Sequence, residues 1–412
     1  MKYGCIGEKL GHSFSREVHG AIADYEYELC EIPREGLQSF MLAADFSAIN
    51  VTIPYKEPVI SYLDEIDSHA REIGAVNTVV KRGGRLYGYN TDFYGMCELF
   101  RHAGIDPRGR KAAILGTGGT AKTAAACLKA LSASEILTVS RTPQGSAISY
   151  AELYADHSDT EIIINTTPVG MFPKNSDSPI SLAKFPKLSG VIDAVYNPLR
   201  TTLISEAREL GIAAEGGLYM LVAQGVRASE IFLGKKYPED CKEKVYKRIL
   251  ASKENIVLTG MPSSGKSTLG KELSELLGLP FCDSDELIRE RTGKEIPDIF
   301  RECGEAEFRR IEREVIADIS KRTATVIATG GGVPLCPENV RALRQNGRII
   351  FLDRALSELM PTKNRPLALD AEAIRRRYEE RYETYCKTAD LRIPVSGTAR
   401  ELAIRLKEML FL

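Results

Sequence analysis

Short apolar runs alternate with longer stretches of mixed polarity along the whole chain, and turn-forming residues separate them. A repeated order of strand, turn and helix predicts an α/β fold with mainly parallel sheets. The predicted strands are Ala48–Ile53, Ala112–Leu115, Glu135–Val139, Glu161–Ile164, Val191–Ile192, Ile256–Leu258, Thr325–Ala328 and Arg348–Leu352. The predicted helices between them include Ala121–Leu131 and Leu269–Leu277.

The length of 412 residues accommodates two or three domains, each with its own core. A charged stretch from Lys235 to Asn255 interrupts the alternation of strands and helices. We interpret this stretch as a solvent-exposed helical face that precedes a new domain, whose first strand opens at Asn255. Because no Gly/Ser-rich linker is visible, the two halves of the chain are expected to follow each other closely.

The composition is typical of a globular protein, with 43% hydrophobic residues, 27% charged residues and a formal net charge of -1. Such a charge provides no basic field for nucleic acid or an anionic membrane. No apolar run is long enough to span a bilayer, and Met1–Lys9 lacks the hydrophobic region of a signal peptide. We therefore expect a cytoplasmic protein without nucleic-acid or membrane partners, and the oligomeric state stays open.

The spacing of cysteines and histidines gives no sign of a disulfide framework or a zinc site. The nine cysteines contain no C-x-x-C pair, which favours reduced thiols. The five histidines show no metal-ligand spacing, so each is expected to be structural or to lie on the surface. These histidines are His12, His19, His69, His102 and His157.

A glycine-rich turn, Gly116–Thr120, follows one predicted strand and opens an alanine-rich helix. A turn of this kind without a lysine suits the pyrophosphate of a dinucleotide, because backbone N–H groups at the helix start face the anion. The next strand ends in Ser140, Arg141 and Thr142 rather than in an acid. An arginine there favours the 2′-phosphate of NADP, and the alternative is a plain surface arginine.

The first hundred residues contain several polar clusters at predicted strand ends. Taken singly, each cluster is a turn and Lys56 is a solvated surface lysine. Taken together, they predict a pocket rich in hydroxyls and amides, with a Lys56/Asp92 pair, that suits a polyhydroxylated acid. The clusters are Gly11–Ser15, Asn50–Lys56, Gly74–Thr78 and Gly88–Asp92.

Residues 1 to about 240 resemble the shikimate dehydrogenase family along nearly their whole length. The resemblance implies NADPH-dependent reduction of 3-dehydroshikimate to shikimate, with Lys56 and Asp92 as the catalytic pair. The matching stretches are Gly11–Ser15, Asn50–Lys56, Gly74–Thr78, Asn90–Asp92, Asn165–Met171, Asp193–Pro198 and Gly217–Gln224.

The same resemblance implies a role for further residues. The substrate carboxylate would be held by Ser13, Ser15 and Tyr196, and the hydroxyl groups by Thr52, Asn77 and Gln224. NADP(H) would be bound by Gly116, Gly118, Gly119, Thr120, Ser140, Arg141, Thr142, Gly217 and Met220.

Two residues depart from the family pattern. Ser140 stands where the family usually has an asparagine before the arginine, so the preference for NADP over NAD stays open. Tyr219 stands where a glycine is common, and we expect it to change the packing beside the nicotinamide. Neither departure affects Lys56 or Asp92.

A second and longer phosphate loop, Gly260–Thr268, has the pattern Gly-x4-Gly-Lys-Ser between a predicted strand and a predicted helix. Backbone N–H groups of such a loop cradle a triphosphate, the lysine bridges the β and γ oxygens, and the serine ligates Mg²⁺. The loop alone therefore predicts that a nucleoside triphosphate binds with Mg²⁺. The expected nucleotide-binding residues are Gly260, Ser263, Ser264, Gly265, Lys266, Ser267 and Thr268.

Other motifs of the second half narrow the chemistry. Each has a plain alternative, since Arg309 and Glu312 could form an i,i+3 surface pair and the glycines could form a mere turn. The motifs are Phe281–Asp285, Gly304–Glu312, Thr329–Gly332 and Asn364–Leu367. Taken in order, they resemble the shikimate kinase family over residues 255 to 412.

The kinase resemblance implies ATP as the phosphate donor and roles for seven residues besides Ser267 of the phosphate loop. Ser267 and Asp283 would hold Mg²⁺, and Asp285 would bind the substrate hydroxyls and orient or deprotonate the attacking one. Arg309 and Arg381 would clamp the substrate carboxylate, because a guanidinium binds two oxygens at once. Gly331 and Gly332 would let the substrate lie against the backbone, and Arg365 would close over the transferring phosphate from a lid.

The sequence thus predicts a bifunctional enzyme that forms shikimate and then phosphorylates its 3-hydroxyl group. Two alternatives stay open: a dehydrogenase that also acts on quinate joined to a kinase for another polyol acid, and a catalytically inactive module in one half. The expected domains are a substrate-binding domain at 1–104, completed by 218–250, a Rossmann-type NADP domain at 105–217, and a P-loop kinase domain of the nucleoside monophosphate kinase-like type at 253–412.

Overall fold

The computed structural model describes residues 1–11, 13–359 and 371–411. The chain forms two compact units, Met1–Leu250 and Ala251–Leu412. Within the described ranges, no helix has the length and apolarity needed to cross a membrane. Sheets flanked by helices form both units, so the α/β prediction is confirmed.

The first unit opens with a six-stranded mixed sheet. Its strands are β1 Tyr3–Gly7, β2 Glu28–Glu31, β3 Ala48–Val51, β4 Glu65–Ile66, β5 Thr78–Arg82 and β6 Arg85–Tyr89. Their order is β2-β1-β3-β5-β6-β4, with β5 antiparallel to both of its neighbours and all other pairs parallel. The helices of this segment are α1 Ser15–Ile22, α2 Leu37–Ala43, α3 Ser68–Ile73 and α4 Thr91–His102.

The antiparallel direction of β5 brings polar strand ends together. Gly83 and Gly84 form the turn between β5 and β6, and their φ angles of 56° and 80° suit the tight turn of a twisted hairpin. The register pairs Thr78 with both Asn50 and Tyr89. The residues that follow β3, precede β5 and follow β6 therefore lie at one edge of the sheet, as expected for a cleft.

A second sheet of the first unit is entirely parallel. Its strands are β7 Lys111–Leu115, β8 Glu135–Val139, β9 Ile162–Asn165, β10 Gly190–Asp193 and β11 Ala213–Glu215, with helices α5 Gly119–Ala130, α6 Tyr150–Asp156 and α7 Thr202–Glu209. The order β11-β10-β9-β7-β8 places a topological switch point between β7 and β9. In open α/β sheets, ligands bind beyond the carboxyl ends of the strands at such a point.

Two helices complete the first unit, α8 Leu218–Leu233 and α9 Cys241–Lys253. The predicted solvated face between residues 235 and 255 is only half correct. Many charged side chains of α9 are exposed, yet Val245 and Ile249 are buried in a cluster with Val222 and Val226 of α8. Burial of these apolar side chains stabilises the docking of α9. The many charged residues around them made this apolar face difficult to recognise in the sequence.

The second unit contains one parallel sheet in the order β13-β14-β12-β15-β16. Its strands are β12 Asn255–Thr259, β13 Phe281–Asp283, β14 Val326–Ala328, β15 Gly347–Asp353 and β16 Leu391–Pro394. The helices are α10 Lys266–Leu277, α11 Ser284–Thr292, α12 Ile296–Ile319, α13 Pro337–Asn346, α14 Ala371–Thr388 and α15 Ala399–Phe411. A kink at Gly304, whose φ is 79°, divides α12 into two helical parts.

Candidate active sites

A lysine–aspartate pair lies at the polar edge of the first sheet. Lys56 Nζ donates a hydrogen bond to Asp92 Oδ2 over 2.7 Å. The two side chains are 23% and 16% exposed, so a small molecule in the cleft can reach them. Asp92 lies in the first turn of α4, where the helix dipole favours a carboxylate, and Asn90 caps this helix by accepting from the N–H of Phe93.

Two of the predicted hydroxyl-binding side chains are connected through Thr91. The Asn77 amide accepts from the N–H of Thr91 over 2.7 Å and donates to its hydroxyl over 3.0 Å. The Thr91 hydroxyl lies 3.3 Å from Gln224 Oε1 and donates to it. Thr52 follows β3 at the same edge, where its N–H donates to the carbonyl of Ile6. Hydrogen bonds of this kind fix the rotamers of buried amides before any ligand arrives.

The three predicted carboxylate-binding residues converge at the start of α1. Ser13 Oγ donates to Ser15 Oγ over 2.9 Å and accepts from the N–H of Ser15. Phe14 packs against the ring of Tyr196, with 5.3 Å between ring centroids. Burial raises the pKa of Tyr196, so its hydroxyl remains protonated and can donate to an anion at neutral pH.

The first glycine loop lies at the switch point of the parallel sheet. Gly116 has a φ of 112°, and a Cβ at this position would lie 2.8 Å from Thr166 Oγ1 in the loop after β9. A Cβ at Gly118 or Gly119 would meet no atom within 4 Å, so both face open space. The helix α5 begins at Gly119 and includes Thr120, which leaves its amino end directed toward this space.

The other predicted NADP residues also lie near this edge. The N–H of Gly116 donates to the carbonyl of Val139, which places Ser140, Arg141 and Thr142 directly beside the loop. Arg141 is exposed. Gly217 follows β11, and a Cβ there would overlap the carbonyl of Ala194, so only glycine fits.

The Tyr219 ring stacks on His102 of α4 at a centroid distance of 3.8 Å, and the ring of Tyr246 from α9 meets its edge. Tyr219, the residue that departs from the family pattern, therefore packs between α4 and α9. Met220 lies one residue further along α8, and its carbonyl would be 2.7 Å from a Cβ at Gly95.

The second phosphate loop has the backbone geometry of an anion cradle. Gly260, Ser263 and Gly265 have φ angles of 146°, 66° and 94°. Positive φ angles within a short loop turn backbone N–H groups toward a common centre. The Lys266 ammonium donates to the carbonyls of Gly260 and Met261, each over 2.9 Å, so the lysine side chain folds back over the loop. Thr268 follows in the first turn of α10.

Two features of this loop are compatible with an anion and with a cation as ligands. The hydroxyls of Ser263 and Ser264 are buried without a hydrogen-bond partner, and a buried polar group of this kind calls for a ligand. Ser267 Oγ donates to Asp283 Oδ2 over 2.5 Å. A hydroxyl and a carboxylate this close are oxygen ligands that fit Mg²⁺, which usually keeps its waters and takes only one or two carboxylates.

The residues predicted to bind the kinase substrate surround the glycines after β14. A Cβ at Gly330 would lie 2.5 Å from Asp285 Oδ1, and a Cβ at Gly332 would overlap Arg309 Nη1. Arg309 Nη1 donates to Glu312 Oε2 over 2.8 Å. The Glu312 side chain is only 2% exposed and burial raises its pKa, so the surface-pair alternative is wrong.

Arg381 joins the same group from α14. Its Nη1 donates to the carbonyl of Gly331 over 3.2 Å, and the hydroxyl of Tyr385 donates to the same oxygen over 2.5 Å. Arg381 lies four residues before Tyr385, and both side chains therefore contact Gly331, where the substrate is predicted to bind. The predicted lid arginine, Arg365, lies outside the described residues.

Three residues of these sites were not predicted. Thr91 connects Asn77 with Gln224, and Glu312 holds Arg309. Both lie inside recognised motifs. The available signal was their position in the chain, since Thr91 directly precedes Asp92 and Glu312 lies three residues after Arg309. Arg354 follows β15, and its Nη2 would lie 4.0 Å from a Cβ at Gly265. Its Nε is buried without a hydrogen-bond partner. No sequence motif marks Arg354.

Within the part of the chain that the structure describes, no group of three or more His, Cys, Asp or Glu side chains could hold a metal ion.

Two family models match separate parts of the chain. The shikimate dehydrogenase substrate binding domain matches residues 5–79, and shikimate kinase matches residues 262–411. Among curated proteins, shikimate dehydrogenase (NADP(+)) from Clostridium perfringens is 36% identical over 265 residues. That alignment covers 60% of this chain and 97% of the relative.

Solved structures agree with this similarity. A chorismate mutase/shikimate 5-dehydrogenase fusion protein from Clostridium acetobutylicum is 36% identical, with a TM-score of 0.56, and the match covers 60% of this chain and 96% of that one. Shikimate 5-dehydrogenase from Thermus thermophilus, solved with NADP(H) and shikimate, is 30% identical with a TM-score of 0.54. That match covers 60% of this chain and 99% of the other. The chain belongs to the shikimate dehydrogenase family through its first unit and carries a shikimate kinase domain in its second, which makes it a bifunctional enzyme of the shikimate pathway.

Proposed function

We propose that the first unit reduces 3-dehydroshikimate to shikimate with NADPH and that the second phosphorylates the 3-hydroxyl group of shikimate with ATP. The observation that carries the proposal is the presence of a hydrogen-bonded polar pair in each unit. Lys56 and Asp92 form a hydrogen-bonded pair in the first unit, and Ser267 and Asp283 form one in the second. A catalytically inactive module would not need to retain both pairs.

Proton transfer in the first site is assigned to Lys56. NADPH supplies a hydride to the carbonyl carbon of the substrate, and negative charge develops on the carbonyl oxygen. The Lys56 ammonium stabilises that charge and then donates a proton to it, while Asp92 orients the ammonium.

Substrate orientation in this site is assigned to two groups of side chains. Ser13, Ser15 and Tyr196 bind the carboxylate, and this assignment is supported by the Ser13–Ser15 hydrogen bond and by the packing of Tyr196 on the intervening Phe14. Thr52, Asn77 and Gln224 bind the ring hydroxyls, and the hydrogen bonds through Thr91 preorganise the last two.

NADP(H) binding is assigned to the loop at the switch point. The open space beside Gly118, Gly119 and Thr120 accommodates the pyrophosphate at the amino end of α5. Arg141, with Ser140 and Thr142 beside it, binds the 2′-phosphate of the cofactor. Gly217 and Met220 contact the nicotinamide half, on the side of the cleft that α8 forms.

Phosphoryl transfer in the second site is assigned to groups around the P-loop. Lys266 and the loop N–H groups, with Thr268 at the helix start, bind the ATP phosphates, and Arg354 adds positive charge beside Gly265. Ser267 and Asp283 would hold Mg²⁺, which would supply positive charge to the ATP phosphates. Asp285 accepts the proton of the attacking 3-hydroxyl group.

Recognition of shikimate by the second site is assigned to a pair of arginines. Arg309 and Arg381 bind the carboxylate, and Gly331 and Gly332 let the substrate lie against the backbone. The closing of Arg365 over the phosphate stays a prediction from the sequence.

We also propose the division into domains at 1–104 with 218–250, 105–217 and 253–412, and a location in the cytoplasm. All nine cysteines are free thiols, as expected in a reducing compartment. The oligomeric state is not part of the proposal.

Assays of one purified sample with shikimate and with quinate test this function. NADP-linked oxidation and ATP-dependent phosphorylation should both favour shikimate by a large factor in kcat/KM. An enzyme that turns over quinate equally well at the first site, or that phosphorylates a different polyol acid faster than shikimate, would support the alternative substrate class and contradict the proposal.

A further inference from the structure

Two cysteine side chains meet between α4 and α5 in the first unit. Cys97 Sγ lies 3.0 Å from Cys127 Sγ. The sulfur atoms of a disulfide are about 2.05 Å apart, so a movement of about 1 Å would bring these two to bonding distance. The remaining seven cysteines form no thiol–thiol hydrogen bond in the described part of the chain.

The position of the pair connects the two halves of the dehydrogenase site. α4 carries Asp92 in its first turn, and α5 begins at the glycine loop proposed for NADP. A second contact joins the same parts, since Lys122 of α5 donates to Glu57 over 2.7 Å, next to Lys56. A covalent bond between α4 and α5 would therefore link the catalytic pair to the cofactor loop.

The two thiols have different surroundings, which suit the two steps of disulfide formation. Cys97 is partly exposed, and Cys127 is buried in the core. A hydrogen bond from the Cys127 thiol lowers the pKa of Cys97, whereas the same contact and burial raise the pKa of Cys127. Cys97 is therefore the side chain that forms a thiolate and meets an oxidant from solvent.

We propose that Cys97 and Cys127 form a site of reversible oxidation, at which hydrogen peroxide converts the two thiols into a disulfide and thereby lowers the dehydrogenase activity. The Cys97 thiolate attacks one peroxide oxygen, the O–O bond breaks, and with one proton the products are a sulfenic acid and water. Cys127 sulfur then attacks the Cys97 sulfur, and the thiol proton and the sulfenic hydroxyl leave as a second water. Both cysteines are oxidised and the peroxide is reduced.

The effect on activity follows from the movement that the bond requires. Shortening the sulfur separation draws α4 and α5 together, and with them Asp92 and the cofactor loop. A misplacement of about 1 Å can cost roughly 100-fold in rate, so we expect the dehydrogenase kcat to fall at least tenfold. The kinase reaction in the same sample should be unchanged.

Treatment of the full-length protein with hydrogen peroxide, followed by peptide mapping and both assays, tests the proposal. The thiol count should fall from nine to seven, with a peptide that joins Cys97 to Cys127, and dithiothreitol should restore thiols and activity. Cys97→Ser should keep its eight thiols and its dehydrogenase activity under peroxide. The matched control Cys303→Ser removes an exposed thiol and should still lose two thiols and the activity.

Three results would overturn the proposal. One is a protein that keeps all nine thiols under peroxide, and another is oxidation that stops at a sulfinic acid on Cys97 without a bond to Cys127. The third is a disulfide at this pair that leaves the dehydrogenase activity unchanged. Cys127→Ala gives an independent check if Cys97→Ser fails to fold, because it also removes the second sulfur.

Discussion

Arg309 Nη1 lies 2.8 Å from Glu312 Oε2, and the glutamate side chain is almost completely buried beside the glycines of the kinase site. The pair has the spacing of an ordinary surface ion pair, but the burial of Glu312 shields the contact from competing water. Glu312 fixes one edge of the guanidinium, and the other edge, Nε and Nη2, contacts the exposed carboxylate of Glu305. A substrate carboxylate that binds Arg309 in a fixed direction would replace Glu305 at that edge. Glu312 is thus a positioning residue for Arg309.

Replacement of Glu312 by glutamine tests this relationship. Glu312→Gln removes the charge that orients Arg309, so we expect the KM for shikimate in the kinase reaction to rise roughly tenfold, the cost of about one charged hydrogen bond. The kcat and the KM for ATP should change little. Glu314→Gln, on the exposed side of the same helix, is the matched control. Equal effects of the two substitutions would mean that Glu312 has only a structural role.

Removal of divalent metal should separate the two activities. A chelator should abolish phosphorylation and leave NADP-linked oxidation unchanged, because Ser267 and Asp283 lie only in the second unit. Asp283→Asn should raise the Mg²⁺ concentration needed for half-maximal kinase rate by roughly tenfold or more, as for loss of a ligand-orienting contact. Glu286→Gln, exposed on the following helix, should show the wild-type requirement. A kinase that works without added metal would contradict the magnesium assignment.

The buried histidine of the first unit should make its stability sensitive to acid. Burial lowers the pKa of His19 to about 3, between the rings of Tyr27 and Phe232. The unfolded chain binds the proton near pH 6.5, so stability is fully present above that pH and is lost toward pH 3, at up to about 1.4 kcal/mol per pH unit.

Hydrogen exchange of α8 peptides between pH 6.5 and 4.5, corrected for intrinsic rates, measures this loss. His19→Phe cannot be protonated and should show a shallower decline in opening free energy than the wild type. His157→Gln, at a half-exposed position, is the control. Parallel declines for wild type and His19→Phe would show that another group controls the acid sensitivity.

The sequence was sufficient for the parts of the fold that depend on local pattern. The predicted strand Glu135–Val139 has the observed bounds, and the other predicted strands differ by one or two residues at one or both ends. Both phosphate loops lie between a strand and a helix, because strand, glycine turn and helix are encoded within a few consecutive residues. The resemblance to two families also located most side chains that converge in the structure.

Features that depend on tertiary packing were not predictable in the same way. The antiparallel hairpin β5–β6 brings Asn77 next to Thr91, although fourteen residues separate them in the chain. The apolar positions Val245 and Ile249 are hidden within a strongly charged helix, and their burial follows only from the docking of α9 on α8. The contact of Cys97 with Cys127 likewise depends on how α4 crosses α5.

The most direct test of the central claim is to assay both reactions of wild type, Lys56→Ala and Lys266→Ala, each purified as the full chain and shown to be folded. Lys56→Ala should lose NADP-linked oxidation of shikimate and retain phosphorylation, because Lys56 contacts only the first site. Lys266→Ala should lose phosphorylation and retain the oxidation. Loss of both activities from either substitution, or no turnover of shikimate by the wild type in one assay, would contradict two independent sites acting on one metabolite.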